Sequence, residues 1–221
     1  MREKKDMKKA MEVGMGECIQ YLNKLGYKIR FKDFDSYCNA RSGFGWSKYI
    51  TVARSWFDEF QRNKEEAKLK FYYTLGHELA HKFTRNWIFS VDFPIYLWKL
   101  LKGKITGKKQ KGISFRGWCE ECFCDYNSIR FVTKEYQNRG AHIKAMGLKK
   151  ETWESQSSHY TDLIHPSWNY RCEVIKKGLD LEALIDSIAI YTECQSYNQI
   201  ERVKKYYIKR EEIIHKRKVI H

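Results

Sequence analysis

The stretch "TLGHELAHKF", Thr74–Phe83, sets His77 and His81 four residues apart and puts Glu78 directly after the first. On a helix, residues four apart lie one above the other on the same face. Two imidazoles so placed can aim their ring nitrogens at one point about 2 Å away, as a tetrahedral zinc ion requires. Glu78 sits one residue round from that pair and cannot join it as a ligand. It stands beside the metal, where a carboxylate can take a proton from an attacking water and pass it to a leaving amine.

Hydrolytic zinc needs a third protein ligand and an open position. His142, His159 and His165 are available by type, but none follows at the short spacing of a third-histidine protease. The acidic run "EECFCD" offers Glu121 as ligand. Asp125, one helical turn later, can accept a hydrogen bond from the other nitrogen of a ligand histidine, which fixes the tautomer and raises basicity. Glu120 competes with Glu121, but four residues after it comes Cys124, which cannot serve in that way. A rival zinc site would use Cys119 and Cys122, yet no second Cys-x-x-Cys pair exists, and these thiols read as small packing residues. His165 and Arg171 are candidates for an oxyanion or substrate contact, or else for a capping histidine and a structural arginine.

These residues need a helix, a second helix and something to hold both. The first 25 residues read as helical, with Met7, Met11, Met15, Cys18, Ile19, Leu22 and Leu25 at helical spacing. "YKIRF" alternates like a strand, and "SYCNARSGFGWSKYITVA" reads as two strands around a glycine turn, giving a small antiparallel sheet. Asn63 and Glu66 form a capping box for a helix running to about Thr84, with Leu75, Leu79 and Phe83 on its core-facing stripe. Residues from Trp87 to Arg116 open apolar and become a lysine- and glycine-rich mobile loop. The helix "WCEECFCDYNSIRFVTKEY" follows. Pro166 at a first helical position and Gly178 past the end bracket a third helix, Asp180 caps a further one, and a charged helix with a thin stripe at Ile200, Val203 and Tyr207 closes the chain.

The composition fits an α+β protein. Of 221 residues, 43% are hydrophobic and only two are proline, which favours a folded, helix-rich chain over a disordered one. We expect a domain over residues 1–178 and a helical basic extension over 179–221. The charged N-terminus carries no secretory signal, and "WIFSVDFPIYLWKLL" is broken by Asp92 and Pro94, too short to span a bilayer. Seven scattered cysteines suit reduced thiols in the cytoplasm. A net charge of +15 suits an acidic partner, nucleic acid included, through the loop Lys102–Arg116 and the tail Lys204–Lys218.

"HELAH" followed by a helix with Glu-x-x-x-Asp resembles the glutamate-zincin metallopeptidases, and the surroundings are most similar to the ImmA/IrrE type. The strand "KYITVA" stands before "YYTLGHELAH", and "ECFCDYNSIRF" resembles that type's glutamate helix. "HPSWNYR" is similar to an element of related membrane-bound zincins. The resemblance spans residues 17–178, most strongly 49–83 and 118–132. Cys122 and Cys124 depart from its usual alanines, the gap from His81 to Glu121 is long, and no helix-turn-helix is evident at the N-terminus. It implies a zincin-like fold and one zinc at His77, His81 and Glu121. Glu78 would be the base, and the substrate a protein, in many cases a DNA-binding repressor. Tyr49–Ala53 would form the cleft edge to which an extended substrate adds as a strand. The alternative from another class is a nucleic-acid-associated or partner-binding module with a structural metal or none, favoured by the charge and by 15% aromatic residues.

Overall fold

The computed structural model describes residues 2–34, 39–43, 47–84, 115–157, 165–194 and 196–217. The expected loop from Trp87 lies outside them, except for Phe115 and Arg116, which begin a helix. At the N-terminus, α1 (Arg2–Glu12) and α2 (Gly16–Lys24) replace the single expected helix. Gly14, at φ 89°, makes the break, since that backbone region is open to glycine and strained for other residues.

Three strands follow: β1 (Lys28–Lys32), β2 (Ala40–Ser42) and β3 (Tyr49–Ala53). Their order in the sheet is β1-β3-β2. β2 and β3 pair antiparallel, but β1 and β3 pair parallel, so the sheet is mixed and the expected all-antiparallel sheet is corrected. The chain reverses twice, and β3 inserts between its predecessors, running in the direction of β1. The strand with buried Ile50, Val52 and Ala53 thereby takes the middle, where both of its edges are paired. β3 therefore cannot be the cleft edge. Among the described strands, β2 lies against the histidine helix.

α3 (Trp56–Arg62) leads into that helix, α4 (Lys64–Thr84). Its start is the expected one, with the Glu66 N–H donating to Asn63 Oδ1 at 3.3 Å. From Leu69 to His81 every residue is buried. A helix buried on all sides lies between layers rather than on a surface. One apolar cluster joins α4 to the sheet and the N-terminal helices through Phe71, Tyr72, Leu75 and Leu79. A second, on the other side, takes Ala80 and the partly buried Phe83.

The second cluster is built on α5 (Phe115–Ser128), which ends earlier than expected and gives way to 3-10 turns at Ile129–Phe131 and Lys134–Tyr136. The sequence gives little sign of α6 (Arg139–Ser157), because two glycines and a weak periodicity hide it. Its legible signal is Asn138, whose Oδ1 accepts the Ala141 N–H at 2.8 Å. α7 (Trp168–Lys177) is capped by Ser167, so Pro166 precedes the cap and does not occupy the first turn. Gly178 ends it in the left-handed conformation at φ 63°, and Asp180 caps α8 (Leu181–Tyr191) as expected. The charged helix α9 (Tyr197–Arg217) buries Val203, Tyr207 and Ile214 in the second cluster. No helix among the described residues is long and apolar enough to cross a membrane.

Candidate metal centre

α4 and α5 cross where Gly76 meets the backbone of Ser128, and the crossing brings the two chemical segments face to face. His77 Nε2 and His81 Nε2 stand 3.1 Å apart. The Glu121 carboxylate faces both, with 3.4 Å from Oε2 to His77 Nε2 and 3.4 Å from Oε1 to His81 Nε2. All three side chains are buried, and their ligand atoms lie within 4.8 Å of one another. A tetrahedral ion with bonds of about 2.0–2.1 Å sets its donors about 3.3–3.4 Å apart. The 3.1 Å between the two Nε2 atoms is close to that spacing, and each Glu121 oxygen stands 3.4 Å from one of them.

The opposite sides of the rings decide the tautomers. His77 Nδ1–H donates to Asp125 Oδ1 at 2.9 Å, and His81 Nδ1–H donates to Glu120 Oε1 at 3.0 Å. With both Nδ1 protons so engaged, the two Nε2 atoms, 3.1 Å apart, are the positions left to hold a proton or a metal ion in front of Glu121. A proton held there ties the imidazoles to the carboxylate, and a metal ion in its place would be coordinated by the same atoms.

Each supporting carboxylate is itself held. Arg171 donates to Asp125 through Nε at 2.5 Å and Nη2 at 2.7 Å, and its guanidinium lies over the Trp168 ring. Burial alone would favour the neutral acid at Asp125. Arg171, and then His77, outweigh it and hold the carboxyl far below its ordinary range. At Glu121 burial likewise opposes ionisation, and the two imidazoles overcome it. Glu120 takes hydrogen bonds from Tyr207 Oη at 2.8 Å and from the Thr84 hydroxyl.

Glu78 is buried, and its Oε2 accepts the backbone N–H of Ser42 on β2. One turn further, Lys82 Nζ donates to the carbonyls of Gly43 at 3.0 Å and Ser47 at 2.8 Å, holding the β2–β3 connection against α4. His165 Nε2 lies 3.8 Å from Glu121 Oε1 at the half-exposed rim of the site. Arg171 reaches Glu121 only at 3.8 Å, and its short contacts go to Asp125 behind His77. His142 is elsewhere, stacked on Tyr73 and 3.2 Å from Ser128 Oγ. His159 lies outside the described residues. Cys119, Cys122 and Cys124 are buried in the second apolar cluster, and Cys124 with His81 and Glu120 makes a further close group. Burial pushes the Cys124 thiol up to about 12, so a metal taking it as a ligand would have to displace its proton.

Glu120 was legible only as a rival ligand. Its real partner, the back of His81, is decided by which face of α5 meets α4. In the sequence Tyr207 belongs to an apolar stripe, and nothing local marks it as a neighbour of Glu120, 87 residues away.

His77-Glu78-x-x-His81 with the Glu120, Glu121 and Asp125 cluster matches the HExxH-plus-glutamate zincin signature. The triad and motif together support classification as a metalloendopeptidase. No family model, curated protein or solved structure matches the chain.

Proposed function

We propose that the protein is a zinc-dependent endopeptidase that cleaves a protein substrate. The observation that carries this reading is the convergence of His77 Nε2, His81 Nε2 and the Glu121 carboxylate in one buried space, with Glu78 buried on the same helix as the two histidines. His77, His81 and Glu121 would hold one zinc ion per chain. Zinc in such a site supplies a Lewis acid and lowers the pKa of water.

The chain's own residues do the rest. Asp125 and Glu120 keep both imidazoles in the tautomer that leaves Nε2 open. Glu78 takes a proton from the attacking water and returns it to the leaving nitrogen, and the Ser42 N–H keeps its carboxylate oriented. His165, 3.8 Å from Glu121 at the rim, would meet the carbonyl oxygen as charge develops on it. Arg171 serves Asp125, the structural role of the two that its sequence position allows. A DNA-bound repressor is the partner class that suits both the resemblance and a +15 chain, because lysines near phosphates release counterions.

Metal analysis of the purified protein tests the centre, with one zinc per chain expected and a sharp loss in Glu121→Ala. Glu78→Gln should retain zinc and lose proteolysis of repressors offered free or on their operators. Full zinc content in Glu121→Ala would overturn the ligand set. Proteolysis by Glu78→Gln at the wild-type rate would overturn the base. DNA binding with no cleavage under any condition would favour the nucleic-acid-associated module.

A further inference from the structure

Both ligand histidines are backed by a carboxylate, and each carboxylate is gripped by a donor from a helix far along the chain. At His77 the donor is Arg171 of α7, acting on Asp125. At His81 it is Tyr207 of α9, acting on Glu120. We infer that Tyr207 is a positioning residue of the metal centre, so that the C-terminal helix completes the site rather than merely extending the fold. The inference rests on the metal reading of the triad and deepens it.

Glu120 has a two-carbon stem with several rotamers, and its oxygens could turn away from His81. Three donors from two helices prevent this. Thr84 and the His81 Nδ1–H bind Oε1, and the Tyr207 hydroxyl binds Oε2. Tyr207 and Glu120 are 0% and 2% exposed, so no water competes for these bonds and losing one leaves a buried acceptor short. The Tyr207 ring is fixed in turn, with its centroid 4.7 Å from Phe123 and 5.1 Å from Tyr206. The carboxylate thus has one orientation, His81 one tautomer, and Nε2 one direction. The neighbouring Tyr206 donates instead to the backbone carbonyl of Thr84 at 2.8 Å, which makes it a matched comparison on the same helix.

The test is zinc affinity of the full-length protein, measured by competition with a chelating dye, for wild type, Tyr207→Phe and Tyr206→Phe. Each variant deletes one hydroxyl and keeps the ring. Tyr207→Phe should bind zinc about tenfold more weakly, in the range seen when support behind a ligand is removed, and Tyr206→Phe should bind as wild type. Cobalt in place of zinc should give a visible spectrum that changes in Tyr207→Phe alone. Should Tyr207→Phe fail to fold, Glu120→Gln is the second variant, expected to lose affinity at least as strongly. Unchanged affinity and cobalt spectrum in a folded Tyr207→Phe, with only thermal stability lowered, would overturn the inference. So would equal losses in both tyrosine variants, or unchanged affinity in Glu120→Gln. Absence of zinc binding by the wild type would overturn the metal reading itself.

Discussion

Gly76 lies so close to Ser128 that a Cβ built on it would overlap the Ser128 carbonyl oxygen and stand 3.1 Å from its carbon. The absence of a side chain at one position is what lets α4 and α5 approach, and the approach is what puts Glu121 in front of His77 and His81. Gly76→Ala forces the helices apart. It should destabilise the fold by about 1–3 kcal/mol, as overpacked cores do, and weaken metal binding in the folded fraction. Denaturant unfolding and metal titration check this together. Wild-type behaviour in both would mean the crossing is looser than its geometry.

Arg171 and Asp125 form a buried pair in which Asp125 also serves His77. Arg171→Met leaves the carboxylate with one partner fewer in a site closed to water. Breaking such a pair costs about 3 kcal/mol or more, and we expect that loss in urea unfolding. Metal affinity should fall with it, because Asp125 becomes free to turn from His77. A variant as stable as wild type would show that the pair contributes nothing net.

His142 links acid stability to the same helices. Ser128 Oγ donates to the Asp125 carbonyl at 2.7 Å, so His142 Nε2–H must be the donor to Ser128 Oγ. Burial holds this imidazole's pKa down to about 4. Between that value and the ordinary 6.5 the unfolded chain binds a proton that the folded one refuses. Stability attributable to His142 is therefore full above 6.5 and falls as pH drops toward 4, by about 3 kcal/mol at most. His142→Phe keeps a ring against Tyr73 and cannot be protonated, so its unfolding free energy should vary less across this interval. An identical pH slope in the variant would place the sensitivity elsewhere.

The three cysteines of α5 are 0–2% exposed and packed among apolar side chains. Changing Cys119, Cys122 and Cys124 together to Ala should lower stability through lost packing and leave metal stoichiometry at the wild-type value. Loss of a full equivalent of metal would assign the ion to Cys124, His81 and Glu120 instead.

What was legible in the sequence is what short range decides. The pairing of His77 with His81 follows from helical periodicity, and the stops and starts at Asn63, Gly178 and Asp180 follow from caps that satisfy backbone groups within three or four residues. Charge and cysteine content likewise need no fold. The division of labour between Glu120 and Glu121 does need one. The two are adjacent on α5, and the angle at which that helix crosses α4 decides which faces the open Nε2 atoms and which reaches behind His81. The parallel pairing of β1 with β3 arises from the insertion of a later strand between earlier ones, which alternation along one strand cannot encode. Arg171 and Tyr207 reach the centre across 46 and 87 residues, and such contacts exist only once both cores have closed around α4. Local patterning could name the donors, but only the packing of buried helices could assign each donor its partner.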